Sequence, residues 1–185
     1  MLVGDEVPEG WLAMLQSTLD QLRARLEAAL QISDPRAEPW VAPTNAVDLD
    51  GRVSESTQNK IVMTLAGLQS EPAVGHIPPA IPAAGVRAVP PLRLNALVLL
   101  LANFTGSHYA TGLRMISRTM IFFHQNPVFM PDPLPGLPAG ADNIMLEFVN
   151  LDLAQTNDLM AMLGLKYLPS VLYRMRTLTL TSDVP

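Results

Sequence analysis

The sequence predicts an α+β domain with a mixed, mostly antiparallel sheet and helices packed on it. Three segments carry helical signals, either apolar residues at three-and-four spacing or a capping pattern. Five others show the alternating or continuously apolar character of strands. The predicted order is α-β-β-β-α-β-α-β. We expect residues 1–185 to form one domain, with an N-terminal helix and linker over 1–43 and an α+β core over 44–181.

The first helix is predicted from one apolar stripe that ends before Pro35 and Pro39. The stripe consists of Leu12, Leu15, Leu19, Leu22, Leu26 and Ala29. Such a helix packs on its own sheet, on a neighbouring subunit, or on both, and the sequence leaves these alternatives open.

Two strands are predicted next, at 45–49 and 60–68, and they could form a hairpin with a long connection. The second strand alternates, with Ile61, Met63 and Leu65 on one face. Residues 72–91 and 131–138 are rich in proline, which lacks the backbone donor and fixes φ. We expect both stretches to be long surface loops.

The segment 92–102 is apolar on both faces, which predicts a strand at the centre of the sheet. Ser107 can cap the helix that follows, and Asn126-Pro127 ends it. Arg114 and Arg118 lie one turn apart on its outer side. Its predicted buried stripe consists of Tyr109, Leu113, Ile116, Met120 and Phe123.

A strand at 143–149 precedes a helix whose start is predicted by the capping-box spacing of Asp152 and Gln155. That helix runs to about Leu163, and Gly164 supplies the left-handed residue after it. The last strand covers 170–180.

Arg174 and Arg176 share one face of the last strand, because side chains alternate along a strand. An arginine pair on an otherwise apolar face suggests an acidic partner or one rich in backbone acceptors. The alternative is a solvated sheet face with snorkelling side chains. Both interpretations stand. The arginines must meet solvent, an internal carboxylate or a neighbouring subunit.

The composition argues against several classes of protein. The net charge is −5, and no cluster of Lys and Arg marks a nucleic-acid surface. The acidity lies in residues 1–86, with five basic and eleven acidic side chains, against seven and six in 87–185. Charged residues make up only 16%, which is consistent with neutral surface covered by other subunits.

The absence of cysteine excludes disulfides and thiolate metal sites. We find no signal peptide, and the apolar segment 97–102 is too short to span a bilayer.

No catalytic pattern is visible either. None of His76, His108 and His124 lies three or four positions from another His, Asp or Glu. A nucleophile elbow and a phosphate-binding loop are also absent from the sequence. We therefore expect no enzymatic activity, no cofactor and no metal.

Four segments together resemble a known family. They are NKIVMTLAGLQSE (59–71), PPLRLNALVLLLANF (90–104), YATGLRMISRTMIFFHQNPVF (109–129) and LEFVNLDLAQTNDLMAMLGLKYLPSVLYRMRTLTL (146–180). In combination they resemble the cap, or tail-terminator, proteins of phage-tail-like contractile injection systems of the antifeeding-prophage type. Pro39-Trp40 and the proline-rich stretch around His76 have no counterpart in that pattern. Some members continue beyond the last strand, whereas this sequence stops at Pro185.

The resemblance implies a structural protein in a ring, typically of six copies, on the distal end of the inner tube and sheath. The implied partners are further copies of the chain, the inner tube protein and the contractile sheath protein, with no nucleic acid and no membrane insertion. The implied location is the bacterial cytoplasm during assembly and then the particle. The expected interface residues are Arg114, Arg118, Lys166, Tyr167, Pro169, Arg174 and Arg176.

On this view the two proline-rich loops contact subunits or the tube. The expected carboxylate partners on an adjacent copy are Asp48, Asp50 and Glu55. Three alternatives remain open: another structural or adaptor component of the same particle, an enzyme with an unrecognised site, and a peripheral nucleic-acid or membrane binder.

Overall fold

The computed structural model describes residues 14–45, 47, 51, 54–70, 92–104, 106–130 and 143–180. They form three helices and one six-stranded mixed sheet, which confirms the predicted α+β class. The helices are α1 (Met14–Ser33), α2 (Tyr109–Gln125) and α3 (Leu153–Met162). The strands are β1 (Val41–Pro43), β2 (Lys60–Ser70), β3 (Leu92–Asn103), β4 (Val128–Phe129), β5 (Ile144–Val149) and β6 (Ser170–Leu180). Short 3₁₀ turns cover Glu55–Thr57 and Gly106–His108.

The strand order in the sheet is β1-β2-β3-β6-β5-β4. β1 runs parallel to β2, and every other neighbouring pair is antiparallel. β3 lies between β2 and β6, and its residues Leu99, Leu100 and Leu101 are fully buried. The central position predicted for this strand is therefore confirmed.

The two faces of the sheet are covered unequally. One face packs against α1 and α2 in a cluster that includes Leu26, Met115 and Phe123. The other face packs against the shorter α3 through a smaller cluster around Met160, Leu99 and Leu172. Because α3 has only ten residues, it covers part of its face.

The prediction of the first strand was wrong in place and in direction. The strand lies at Val41–Pro43 rather than at 45–49, and it pairs with β2 in parallel instead of forming a hairpin. Asn45 and Val47 are not in a strand, and 46, 48 and 49 lie outside the described residues. The strand starts earlier because Trp40 and Val41 are buried and hydrogen-bonded. The connection over 44–59 is long enough for the crossover that parallel strands need.

The buried stripe of α2 differs from the predicted one by a rotation of the helix. Ile116 and Phe123 are buried as predicted, but Tyr109, Leu113 and Met120 are exposed. The buried residues of α2 are Gly112, Met115, Ile116, Thr119 and Phe123.

Gly112 explains this rotation. A Cβ atom at Gly112 would lie 2.8 Å from the Cβ atom of Phe104, so only glycine lets α2 approach this closely to the residue that follows β3. Ser107 does not cap α2. It lies in the 3₁₀ turn, and His108 occupies the cap position without a side-chain hydrogen bond.

The second half of the chain follows its predictions closely. The capping box of Asp152 and Gln155 is present in both directions, and Gly164 has a left-handed φ of 67°. β6 covers the predicted residues. β4 was not predicted, because a strand of two residues is too short to show the alternation of side chains by which strands are recognised in a sequence. The proline-rich stretches 72–91 and 131–138 lie outside the described residues.

A carboxylate joins α1 to β1. Glu27 accepts hydrogen bonds from the backbone N–H groups of Trp40 (3.0 Å) and Val41 (2.8 Å). The guanidinium of Arg36 lies 3.6 Å from the centroid of the Trp40 ring. Burial lowers the pKa of Arg36, an effect opposed by the carboxylates of Glu38, Glu27 and Asp34.

We expect Glu27→Ala to lower the free energy of unfolding by about 2–4 kcal/mol, because two backbone donors lose a charged acceptor. Urea denaturation followed by tryptophan fluorescence measures this loss. Asp20→Ala is the matched control, since Asp20 is exposed on the same helix and its side chain makes no hydrogen bond within the described residues. An equal change in the free energy of unfolding for the two variants would show that the hydrogen bonds from Trp40 and Val41 to Glu27 do not stabilise the fold.

Candidate interaction surfaces

The described residues do not assemble a metal site. No group of three or more His, Asp or Glu side chains among them is arranged to hold an ion. His108 precedes α2 and His124 lies in its last turn, so the length of the helix, about 24 Å, separates them. His76 lies outside the described residues. Convergence of the three histidines would have favoured the alternative of an enzyme with an unrecognised site, and the two described ones do not converge.

Arg174 and Arg176 lie on the α3 side of β6 and both approach one carboxylate. An Arg176 Nη1 atom lies 2.8 Å from Glu147 Oε1, and an Arg174 Nη1 atom lies 3.7 Å from Glu147 Oε2. Glu147 is paired directly with Arg174 in the β5–β6 register, so Arg176 is its diagonal neighbour. An internal carboxylate was one of the three environments predicted for these arginines.

The two arginines are bound unequally. Arg176 donates a hydrogen bond to Glu147, whereas the Arg174 contact at 3.7 Å is too long for one. Both side chains are about one-third exposed, at 35% for Arg174 and 40% for Arg176. Glu147 is therefore a carboxylate that both guanidinium groups approach, with Arg176 the more closely bound.

A buried amide lies beside this cluster. Asn95 of β3 is 6% exposed, and its Oδ1 atom has no hydrogen-bond partner among the described residues. The β3–β6 register shifts between Leu94 and Ala96, which places Asn95 near Arg176. We call the surface formed by Asn95, Glu147, Arg174 and Arg176 the polar face.

Arg114 and Arg118 are also held within the subunit. Their Nη atoms lie 3.0 Å and 3.4 Å from Oδ2 of Asp34, just beyond the end of α1. Because α1 and α2 lie side by side, two arginines one turn apart reach the same carboxylate. Arg114 remains 54% exposed. These two arginines therefore tie α2 to the end of α1.

The segment that leads into β6 is part fold and part exposed surface. The backbone carbonyl of Pro169 accepts a hydrogen bond of 2.8 Å from Ala102 N–H, which starts the β3–β6 ladder. Lys166 and Tyr167 face outward, and Tyr167 is 71% exposed. The backbone of Pro169 is thus fixed at the start of β6, whereas Lys166 and Tyr167 are available for contacts.

Sequence reasoning missed an apolar groove beside β5. The groove, which we call the β5 groove, has a volume of about 380 Å³. Met120, Ile121 and Phe148 line it and are exposed, while Tyr173 is its buried floor, where burial raises the phenol pKa. The signal that could have revealed the groove lies in α2, where residues 120, 121 and 123 are all apolar. One buried stripe of a helix needs fewer apolar positions than that.

These features define an α+β domain with several exposed polar and apolar surfaces. The sequence model of the Pvc16 N-terminal domain family matches residues 13–185. The chain belongs to that family, which is associated with phage-tail-like contractile injection systems. The family points to a structural component of a tail-like particle rather than to an enzyme.

A comparison with curated proteins finds no match. Within the described residues, none of the helices has the length and apolar character needed to cross a membrane.

We expect Arg176→Ala to destabilise the isolated subunit more than Arg174→Ala. Removing the hydrogen-bonded partner of Glu147 costs up to about 1 kcal/mol for a partly exposed pair, whereas the longer contact contributes less. Thermal unfolding of both variants measures the difference at low and high salt, since screening weakens such pairs. An equal loss, or a larger one for Arg174→Ala, would contradict the assignment.

Proposed function

We propose that this protein is the cap of a phage-tail-like contractile injection particle. It forms a ring of six copies on the distal end of the inner tube and sheath and ends their polymerisation. The family match over residues 13–185 carries the proposal, because it associates the chain with such particles. The resemblance of its four sequence segments to tail terminators supplies the position at the end of the tube.

The composition of the subunit is compatible with such a role. A ring requires two different surfaces on each copy that fit one another, and a capping ring also needs a surface for the tube. The chain offers the polar face, the β5 groove and the exposed Tyr167 as separate candidates. With charged residues at only 16% of the chain, little charge has to be desolvated when copies meet.

Arg174 is the interface residue that the polar face supports best. It is part-buried and makes no hydrogen bond to Glu147. We place a carboxylate of a neighbouring copy or of the tube protein against it. Glu55, exposed in the first 3₁₀ turn, remains a candidate partner, while Asp48 and Asp50 lie outside the described residues.

The other expected interface residues differ in how well their surroundings fit an intersubunit contact. Lys166 and Tyr167 keep their proposed role, because both are exposed beside the fixed Pro169. Arg114 and Arg118 are a weaker case, because Asp34 already neutralises part of their charge. Assembly takes place in the bacterial cytoplasm, and the inner tube and sheath proteins are the proposed partners.

Particles produced without this protein test the function directly. We expect tubes and sheaths of uncontrolled length, because nothing stops the addition of further rings, and electron microscopy measures the length distribution. Particles of normal length would contradict the cap. Density for this chain at the baseplate end would instead favour another structural or adaptor role.

Complementation with Arg174→Ala tests the interface residue. A charge contact desolvated at an interface is worth about 2–5 kcal/mol when one partner is truncated. We therefore expect a folded subunit that restores length control poorly. Arg23→Ala is the control, because Arg23 makes no ion pair within the described part of the chain. Full restoration of normal length by Arg174→Ala would rule out the contact.

A further inference from the structure

The β2 end of the sheet has an uncovered edge. β1 accompanies β2 only from Ile61 to Met63, where Thr44 N–H donates the last hydrogen bond, of 3.2 Å, to the Met63 carbonyl. Backbone groups alternate in direction along a strand, so those of Leu65 point the same way as those of Met63. None of the described residues receives them.

A bulge extends this edge. The β2–β3 register shifts between Leu65 and Gly67, which turns the backbone groups of Leu68 and Ser70 outward as well. The side chains of Leu65 and Leu68 are 37% and 48% exposed. We call Leu65, Leu68 and Ser70 the β2 edge. A groove of about 430 Å³ between α1 and β2 runs past Leu65.

The opposite end of the same sheet is also incompletely paired. β4 has two residues, and Leu146 N–H donates a 2.8 Å hydrogen bond to the carbonyl of Pro127. Two residues further on, the backbone of Phe148 points in the same direction but lies past the β4 partners. Within the described ranges nothing pairs with it. The Phe148 side chain is 51% exposed and lines the β5 groove.

We propose that the β2 edge of one copy docks on the Phe148 edge and β5 groove of the next copy, so that the sheet continues between subunits. This inference rests on the proposed ring. Each edge presents unpaired backbone groups together with exposed apolar side chains, so each supplies what the other lacks. Leu65 or Leu68 then enters the groove between Ile121 and Phe148.

A second copy is the occupant that the topology favours. The two edges are different surfaces at opposite ends of one sheet, so their contact is head-to-tail and repeats around a ring. Two β2 edges paired with each other would give a two-fold dimer and would leave the β5 groove empty. The bulge and the pairing of β1 with β2 up to Met63 restrict the ladder to a short stretch, which disfavours open-ended aggregation.

Cysteine cross-linking tests the contact in purified particles, since the chain contains no cysteine of its own. We expect the double variant Ser70→Cys/Phe148→Cys, treated with a short thiol-reactive linker, to give a ladder of covalent multimers up to the closed ring. Ser70→Cys alone and Phe148→Cys alone should stay monomeric. Replacing Ser70→Cys by Asp158→Cys in the pair controls for random collision, because Asp158 is exposed on α3 and belongs to neither edge.

Each other outcome overturns the proposal. Dimers from Ser70→Cys alone would show pairing of like edges, and a cross-link from the Ser70→Cys variant to another protein would identify a different occupant. Absence of multimers from the double variant would exclude the contact.

A proline scan provides a second readout. The N–H of Leu68 points outward, so Leu68→Pro removes an edge donor and keeps the β2–β3 ladder, as proline on edge strands permits. Gln69→Pro is the matched control, because the N–H of Gln69 points towards its β3 partner Asn95 and its loss should destabilise the subunit. We expect Leu68→Pro to keep its melting temperature and to lower incorporation into particles at least tenfold. Normal incorporation would overturn the contact.

The cap function and the contact between β2 and β5 of neighbouring copies can be disproved independently of each other. A reconstruction with six copies on the tube end and no density joining β2 to β5 would overturn this contact and leave the cap in place. Normal particle length without the protein would overturn the cap itself.

Discussion

The structure depends on the burial of β3 from all sides. Leu99, Leu100 and Leu101 have no exposed surface, so every backbone donor and acceptor near them must be paired by another strand. This requirement places β2 and β6 on its two edges. It also requires a helical layer on each face, because successive side chains of an apolar strand point to opposite sides. The unequal layers, two helices on one face and the shorter α3 on the other, follow from how much apolar surface each helix offers.

Most of this architecture could be predicted because its signals are local. The apolar run of β3, the capping box of Asp152 with Gln155 and the left-handed Gly164 each specify structure within a few residues. The errors arose where a distant residue decides the outcome. The first strand begins at Val41 because Glu27, on another element, accepts hydrogen bonds from the N–H groups of Trp40 and Val41. The face that α2 buries is chosen by the contact of Gly112 with Phe104, which no periodicity within the helix reveals.

At the candidate surfaces, too, local features could be predicted from the sequence, whereas contacts between distant residues could not. Alternation along β6 correctly placed Arg174 and Arg176 on one face, but the shared carboxylate Glu147 comes from a neighbouring strand. Asp34 likewise reaches Arg114 and Arg118 across two helices. These ion pairs within the subunit partly neutralise arginines that the sequence alone would assign to an interface. The β5 groove could not be predicted, because its lining combines residues of α2, β5 and β6 that meet only in the folded sheet.

The pairing of β3 with β6 has a consequence for synthesis of the chain. Leu100 pairs with Val171, about seventy residues later in the sequence, so the centre of the sheet cannot close while the ribosome is still making the intervening segment. Contacts of such large sequence separation fold slowly. Until β6 is released, one edge of the most apolar strand remains a target for chaperones and for aggregation. Translation of β6 thus acts as a checkpoint, because an interrupted chain cannot complete the sheet that holds its outer surfaces in place.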